Sequence, residues 1–412
     1  MAKRVLPSLL ASIGFAGAAA AGQSFPDVPV SGGGGPTMQS VRQCNGADPV
    51  PAIMGCTAII NARSSTPAQR SGALTNRGRA FAQRGQADRA IADFNQAVQI
   101  DPMNSRGWAN RGDFYQAQGD FDRAVQDYDS AIMANPMDFE AFNQRGTVRL
   151  LMGEPERAIP DYDQAIAINP KFAAAFTNRG EAYRVQGEFD RAISDFNQAL
   201  SVDAKFVMAL DNRGIAYVEK GEYERGIADF DAALKLDPKM TIVYTHRATA
   251  HASNGARNLA LADFDQAIKV DPSDPYVYLS RGNLYLETND LDRAIKDYDS
   301  AIMAERNYAD AFANRGVAYA RMGNFNRAVV DFDRAIMLDP ALPDLFANRG
   351  LSYVKTGQYA RAIADLDKAL TSNPRDAFSL YNRGVAKQQA GDRPGGDADV
   401  ARARSMDPNV GK

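Results

Sequence analysis

Three sets of residues in this 412-residue chain have types and spacings that bear on chemistry. The first pairs arginine with aspartate. Arginines recur every 34 residues from Arg77 to Arg383, and each is followed sixteen residues later by an aspartate, from Asp93 to Asp399. Such a pattern suits either ion pairs that fix neighbouring helices or a row of guanidinium groups for an anionic ligand. A second arginine, as at Arg89, Arg123 and Arg191, precedes the aspartate by four residues in most units and competes for it. The second set is a row of asparagines, each just before the recurrent arginine: Asn76, Asn110, Asn178, Asn212, Asn314, Asn348 and Asn382, with Gln144, His246 and Ser280 in the other three units. Asparagine is a mediocre helix former, so its return at one register needs a reason beyond propensity. The third is the cysteine pair, Cys44 and Cys56. In an oxidising compartment two closely spaced cysteines favour a disulfide, worth on the order of 3 kcal/mol in the chain-entropy model, the alternative being two small buried thiols.

Catalytic groupings are not evident. The two histidines, His246 and His251, lie five apart and so do not share the helix face that an i, i+4 metal pair requires. They are far in sequence from the cysteines, and the recurrent glycines fall once per unit rather than in a phosphate-cradling loop. The expectation is no catalytic residue, no metal and no cofactor. A formal net charge of -3 with 24% charged residues gives no basic excess for nucleic acid.

The elements that must position these residues follow from the period. Ten units of 34 residues fill positions 71–410 without insertion, and a fixed period in this range means stacked supersecondary units. In the second unit Trp108, Gly112 and Tyr115 follow helical spacing, Gly119 marks a turn, Ala124, Tyr128 and Ala131 repeat the spacing, and Pro136 ends it. That is two short amphipathic helices joined tightly. Neither buries its stripe alone, so neighbouring units must stack into a continuous core.

Period, hairpin and signature positions resemble the tetratricopeptide repeat, over about 340 of the 412 residues. The resemblance implies an all-α, right-handed superhelical solenoid of ten helix-turn-helix repeats with an N-terminal capping helix, whose first helices line a concave groove. Departures are specific. Arginine replaces the family leucine throughout, Ala248 stands for glycine, Ala204 and Arg306 replace the last proline, and the final unit, with Gly396 and Val400, reads as a solvent-facing cap. The asparagine position resembles the ladder that holds the backbone of an extended peptide in some long members, and an amide satisfies both a backbone donor and a backbone acceptor. One position after the family glycine, early units have Arg79, Asp113, Thr147 and Glu181 and the last three Val317, Leu351 and Val385, so the groove should turn from polar to apolar.

Ahead of the repeats, residues 1–21 read as a signal peptide: Lys3 and Arg4, an apolar stretch from Leu9 to Phe15, and small residues Ala18 to Ala21 before cleavage. Residues 22–36 are a Gly/Pro-rich flexible linker, and 37–70 form a cap in which Asp48 to Ala62 suits one short helix. The expected protein is exported to the periplasm or beyond. It has no membrane segment after cleavage and binds a protein or extended peptide. Two alternatives remain: a structural spacer of an envelope complex working through its convex face, and an accessory to an enzyme acting elsewhere.

Overall fold

The computed structural model describes residues 36–342 and 344–411. The expected signal peptide and all but Pro36 of the linker fall outside them. Among the described residues all regular structure is helical, and the chain divides into two compact units, Met1–Leu236 and Asp237–Lys412.

The first unit opens with α1 (Met38–Cys44) and α2 (Pro49–Asn61) and continues as five hairpins. These are α3 (Pro67–Gln83) with α4 (Ala87–Ile100), α5 (Ser105–Ala117) with α6 (Phe121–Ala134), α7 (Phe139–Leu151) with α8 (Pro155–Ile168), α9 (Ala173–Val185) with α10 (Phe189–Val202), and α11 (Val207–Glu219) with α12 (Tyr223–Leu236). The second unit has five more: α13 (Thr241–Ser253) with α14 (Arg257–Val270), α15 (Pro275–Glu287) with α16 (Leu291–Ala304), α17 (Ala309–Arg321) with α18 (Phe325–Leu338), α19 (Leu345–Lys355) with α20 (Tyr359–Ser372), and α21 (Ala377–Gln389) with α22 (Arg393–Met406). No described helix is long and apolar enough to cross a membrane.

Each hairpin closes because its turn residue adopts positive φ, a region open to glycine at little cost. Gly119 has φ 76°, and in the hairpin of α15 and α16 Asn289 takes over the role with φ 59°, asparagine being the side-chain-bearing residue that tolerates that region best. Inside the hairpin the family glycine lies under the aromatic ring of the second helix. A Cβ on Gly214 would sit 2.6 Å from Phe230, so only a bare backbone admits the ring. The second helix buries a stripe of two alanines and an aromatic, as Ala124, Tyr128 and Ala131 do in α6, all fully buried. An aspartate lies on the same stripe: Asp127 is 4% exposed. Apolar spacing explains the helix; that carboxylate needs a partner.

The cap consists of two helices, where the sequence suggested one. Met38–Cys44 is short and largely polar and carries no apolar stripe to reveal it. Cys44 and Cys56 join α1 to α2 by a disulfide, and both are fully buried. The cap is a shortened copy of a repeat. Asn76 donates to Asn45, 31 residues earlier, the same separation at which Asn178 meets Thr147 and Asn314 meets Asn283. Arg77 donates to Thr57, 20 residues earlier, where later arginines reach back 16. The disulfide spans 12 residues, where the glycine-to-ring contact of a full repeat spans 16. A deletion of four residues, about a helical turn, between α1 and α2, offset by an insertion of four between α2 and α3, reconciles all three separations. In place of the glycine and the ring stand the two cysteines.

Gly55 is where the cap helices approach most closely. A Cβ there would lie 2.4 Å from the Ser40 carbonyl oxygen and 2.7 Å from the Cys44 amide nitrogen, both backbone and unable to swing away. Gly55→Ala is therefore expected to lose about 1–3 kcal/mol, with faster hydrogen exchange in α1 and α2 and none of the acceleration in α5 or beyond. Unchanged protection of α1 and α2 would refute this packing.

Candidate functional site

The buried aspartate finds its partner in the recurrent arginine. Arg213 lies on α11 with Nε and Nη2 facing Asp229 of α12 at 2.8 and 2.6 Å, a bidentate pair within one hairpin. Its third nitrogen, Nη1, reaches back 2.6 Å to Asn197 on α10 of the preceding hairpin. The arrangement recurs. Arg145 clasps Asp161 and reaches Asp129 at 2.5 Å, Arg315 clasps Asp331 and reaches Asp299 at 2.5 Å, and Arg383 clasps Asp399 and reaches Asp367 at 2.7 Å. At the start Thr57 of the cap is the acceptor, and Asp263 pairs with Arg247 within its hairpin. Pairing is thus both within hairpins and between them.

These guanidinium groups are not a ladder for anionic ligands. All their hydrogen-bonding edges are taken, and the planes lie near the aromatic residue one turn earlier, as Arg111 does over Trp108 at 4.9 Å and Arg315 over Phe312 at 5.4 Å. The second arginine does not compete for the buried aspartate. Arg123 turns to Asp120 and Arg191 to Glu188, and each covers a tyrosine ring, at 4.4 Å for Tyr115 and 3.8 Å for Tyr183. An exposed acceptor three residues back, at the helix start, is nearer than the carboxylate already held from both sides.

The asparagines, expected as a uniform row, fall into three groups. Asn76, Asn178 and Asn314 donate across to the preceding first helix or the cap: to Asn45, to Asn143 and Thr147, and to Asn283. Asn110 and Asn382 bond carbonyls one turn back in their own helices, Arg106 and Phe378, both at 2.8 Å. The Asn212 and Asn348 amides have no hydrogen bond among the described residues. What sorts them is the residue one place after the family glycine in the preceding unit. Where it is Thr147 or Asn283, an acceptor is present. Before Asn348 it is Val317 and before Asn382 it is Leu351, which accept nothing. Before Asn212 it is Glu181, already clasped by Arg184 at 2.7 Å, while Arg184 also holds Glu219 at 2.6 Å.

Those neighbours were read as a groove turning from polar to apolar, and their first duty proves to be internal. Tyr128, Tyr162 and Tyr298 are fully buried, and their hydroxyls donate to Asp113, Thr147 and Asn283 respectively. Each of the three tyrosine-bearing units has a polar residue there. This co-occurrence was readable in the sequence and was missed. Val317, Leu351 and Val385 accompany Phe332, Leu366 and Val400, which have no hydroxyl to satisfy. They remain partly exposed on α17, α19 and α21, Val317 packing against the Phe332 cluster. His246 is buried and His251 lies 3.8 Å from Asp263, both within the stack, and no group of three metal-capable residues occurs among the described residues.

Burial raises the pKa of Asp113, partly offset by hydrogen bonds from Tyr128 and Gln144; burial and the nearby carboxylate push the Tyr128 hydroxyl well up. Asp113 is crowded by neighbouring groups but exposed to water, so solvent limits the effect. A raised carboxylate pKa means that ionisation disfavours the folded state, and that penalty disappears as pH falls and the group protonates. Asp113→Asn, the residue that Asn283 already supplies to Tyr298, should raise the melting temperature at neutral pH by an amount that shrinks on acidification. A gain independent of pH would contradict the ionisation argument. For the ion pairs, Arg213→Leu strands Asp229, 7% exposed, in the interior. It should lose about 2–4 kcal/mol in urea unfolding, and adding Asp229→Leu should recover about 1 kcal/mol or more relative to additivity. Strict additivity would mean that the pair is not coupled.

Comparison with known proteins bears on this arrangement directly. No curated protein matches the chain. Among solved structures, a tetratricopeptide repeat protein from Parabacteroides merdae is similar at 22% identity, over 60% of this chain and 98% of that one, with a TM-score of 0.50, and supports the fold. The APC/C hetero-tetramer Cut9-Hcn1 aligns at 14% identity over 90% and 86% of the two chains, with a TM-score of 0.48. YrrB, described as a TPR protein with an unusual peptide-binding site, aligns at 25% identity over 44% and 93%, with a TM-score of 0.33. Family models described as TPR repeat match residues 78–119 and 282–323, and others described as tetratricopeptide repeat match 109–170, 143–206, 212–275, 264–296, 309–342 and 343–376. Together they span 78–206 and 212–376, well over half the chain, and with the hairpin geometry they establish that it belongs to the tetratricopeptide repeat family.

Proposed function

We propose that this chain is a non-catalytic scaffold that binds a protein partner through an extended segment laid along its first helices, with the contact centred on α17, α19 and α21. The observation that carries the proposal is Asn348. Its amide is half-buried and makes no hydrogen bond among the described residues, and Leu351, three residues on in α19, is partly exposed. An amide with no internal partner is available to a bound backbone that supplies one carbonyl and one N–H. Asn212, also unpaired, is 7% exposed and less accessible. The charged residues most able to do chemistry, the recurrent arginines and aspartates, are already committed to one another. Export to the periplasm or outside the cell belongs to the same proposal. It is supported by the buried Cys44–Cys56 disulfide, which persists in oxidising compartments, and by the leader-like residues 1–21.

A second reading, assembly through the outer face, rests on Met303, Val330 and Met337 of α16 and α18, which are 82%, 65% and 72% exposed. Peptides selected from a random library on the full disulfide-bonded chain discriminate between the two. Asn348→Ala should leave the melting temperature unchanged, since no internal bond is lost, and weaken the selected peptides about three- to tenfold, as expected for one neutral hydrogen bond. Asn314→Ala, by contrast, removes the bond to Asn283 and should lower the melting temperature. Full affinity in Asn348→Ala, with loss on Met303→Asp or Met337→Asp, would move the binding surface to the outer face.

A further inference from the structure

Methionine is ordinarily among the most buried residue types, and here the distribution is reversed. None of the described methionines is buried, and all except the half-buried Met208 and Met240 are exposed. Leucine, a residue of similar size, behaves in the usual way, with only Leu236 and Leu259 comparably exposed among the described residues. The repeat sets the positions. Met133, Met303 and Met337 share one register near the ends of α6, α16 and α18 and are 81%, 82% and 72% exposed. Other second helices have Gln99, Ser201, Lys235 or Lys269 at that register. Stacking demands nothing apolar there, so burial does not account for the methionines. The sulfur inside the stack is already oxidised, because Cys44 and Cys56 are the chain's two cysteines and are joined to each other. Among the described residues, therefore, no thioether that a peroxide can convert belongs to the core, where a polar product would disrupt packing.

Met337 has a second feature. Nη1 of Arg334, three residues earlier in α18, lies 3.4 Å from its sulfur. The guanidinium is placed there by Nη2, which donates to Asn307 at 2.9 Å, and by the Phe312 ring, whose centre is 6.0 Å away. A thioether is a weak acceptor for such a donor. A sulfoxide oxygen is a strong one, and the charge on the donor strengthens the bond further. The guanidinium thus already stands where the oxidised side chain needs it.

We propose that the surface methionines are modification sites for hydroperoxides, and that Met337 is the one whose sulfoxide is held in place, by Arg334. In the reaction a sulfur lone pair attacks one peroxide oxygen, an S–O bond forms as the O–O bond breaks, and the proton passes to the leaving oxygen. Sulfur gives up two electrons, and hydrogen peroxide becomes water or an organic hydroperoxide becomes an alcohol. The product is polar and chiral, and a methionine sulfoxide reductase returns it to the thioether. Oxidation makes the outward side of α16 and α18 polar and leaves the amides and aliphatic residues of the first helices unaltered. The inference does not depend on which face binds the partner.

The test treats the full disulfide-bonded chain with graded hydrogen peroxide and follows it by peptide mass mapping, circular dichroism and epimer-specific sulfoxide reductases. Met133, Met303 and Met337 should each gain one oxygen at least about tenfold faster than Met208 and Met240, since susceptibility follows exposure. Conversion of the exposed methionines alone should lower the melting temperature by less than about 3 °C. At Met337 the oxygen is held on the Arg334 side, so one sulfoxide epimer should predominate by about threefold or more. Arg334→Ala should bring the two epimers to near equality without changing the helical signal. Rates that do not follow exposure, or loss of the cooperative transition once the exposed sites are converted, would overturn the proposal as a whole. Equal epimers at Met337 in the parent chain would overturn the role given to Arg334.

Discussion

The structure depends on a guanidinium group shared between two hairpins. A lone aspartate on the buried stripe of every second helix would be costly, and a lone arginine on the first helix little better. Joined bidentately they satisfy one another, and the nitrogen left over reaches the hairpin before. Arg145 between Asp161 and Asp129, or Arg349 between Asp365 and Asp333, thus fixes two relations at once: the angle within a hairpin and the register to its neighbour. Alanine and aromatic packing supplies the apolar burial, but such surfaces tolerate sliding. The planar fork of arginine does not. This explains why a residue that is leucine elsewhere in the family is arginine here without exception along the array.

Much of this was legible beforehand. The 34-residue period, the hairpin and the arginine-aspartate pairing all follow from spacing, because stacked units repeat their chemistry as well as their shape. What spacing could not give was the destination of the third arginine nitrogen, since an acceptor on a neighbouring unit lies at a register only the stack reveals. The helix α1 escaped notice because seven residues with no apolar stripe are held by the disulfide and by Gly55, not by amphipathicity. The asparagines looked equivalent because one position was compared in isolation. Their fates differ with the residue one place after the glycine in the unit before, which is polar in all three tyrosine units but also beside Phe94, Phe196 and Phe264.

The surface chemistry of the first helices follows in part from packing rules. Beside Tyr162 and Tyr298 the residue after the glycine accepts from the ring hydroxyl and also from the next asparagine, as Thr147 does from Asn178 and Asn283 from Asn314. Beside Phe332 and Leu366 the neighbours Val317 and Leu351 are apolar, and Asn348 and Asn382 have no acceptor there. Val317 and Asn348 are one such pair, Asn283 and Asn314 the other.

The shared arginines of the first unit are not all anchored alike. At two junctions the acceptor on the preceding hairpin is an amide, Asn95 for Arg111 and Asn197 for Arg213, where others offer a carboxylate such as Asp129 or Asp163. A guanidinium bond to a neutral amide is weaker than one to a carboxylate, and salt affects it less because only one partner carries charge. The seams between α4 and α5 and between α10 and α11 therefore carry the weaker polar anchor, and they bracket three hairpins whose mutual seams are ionic.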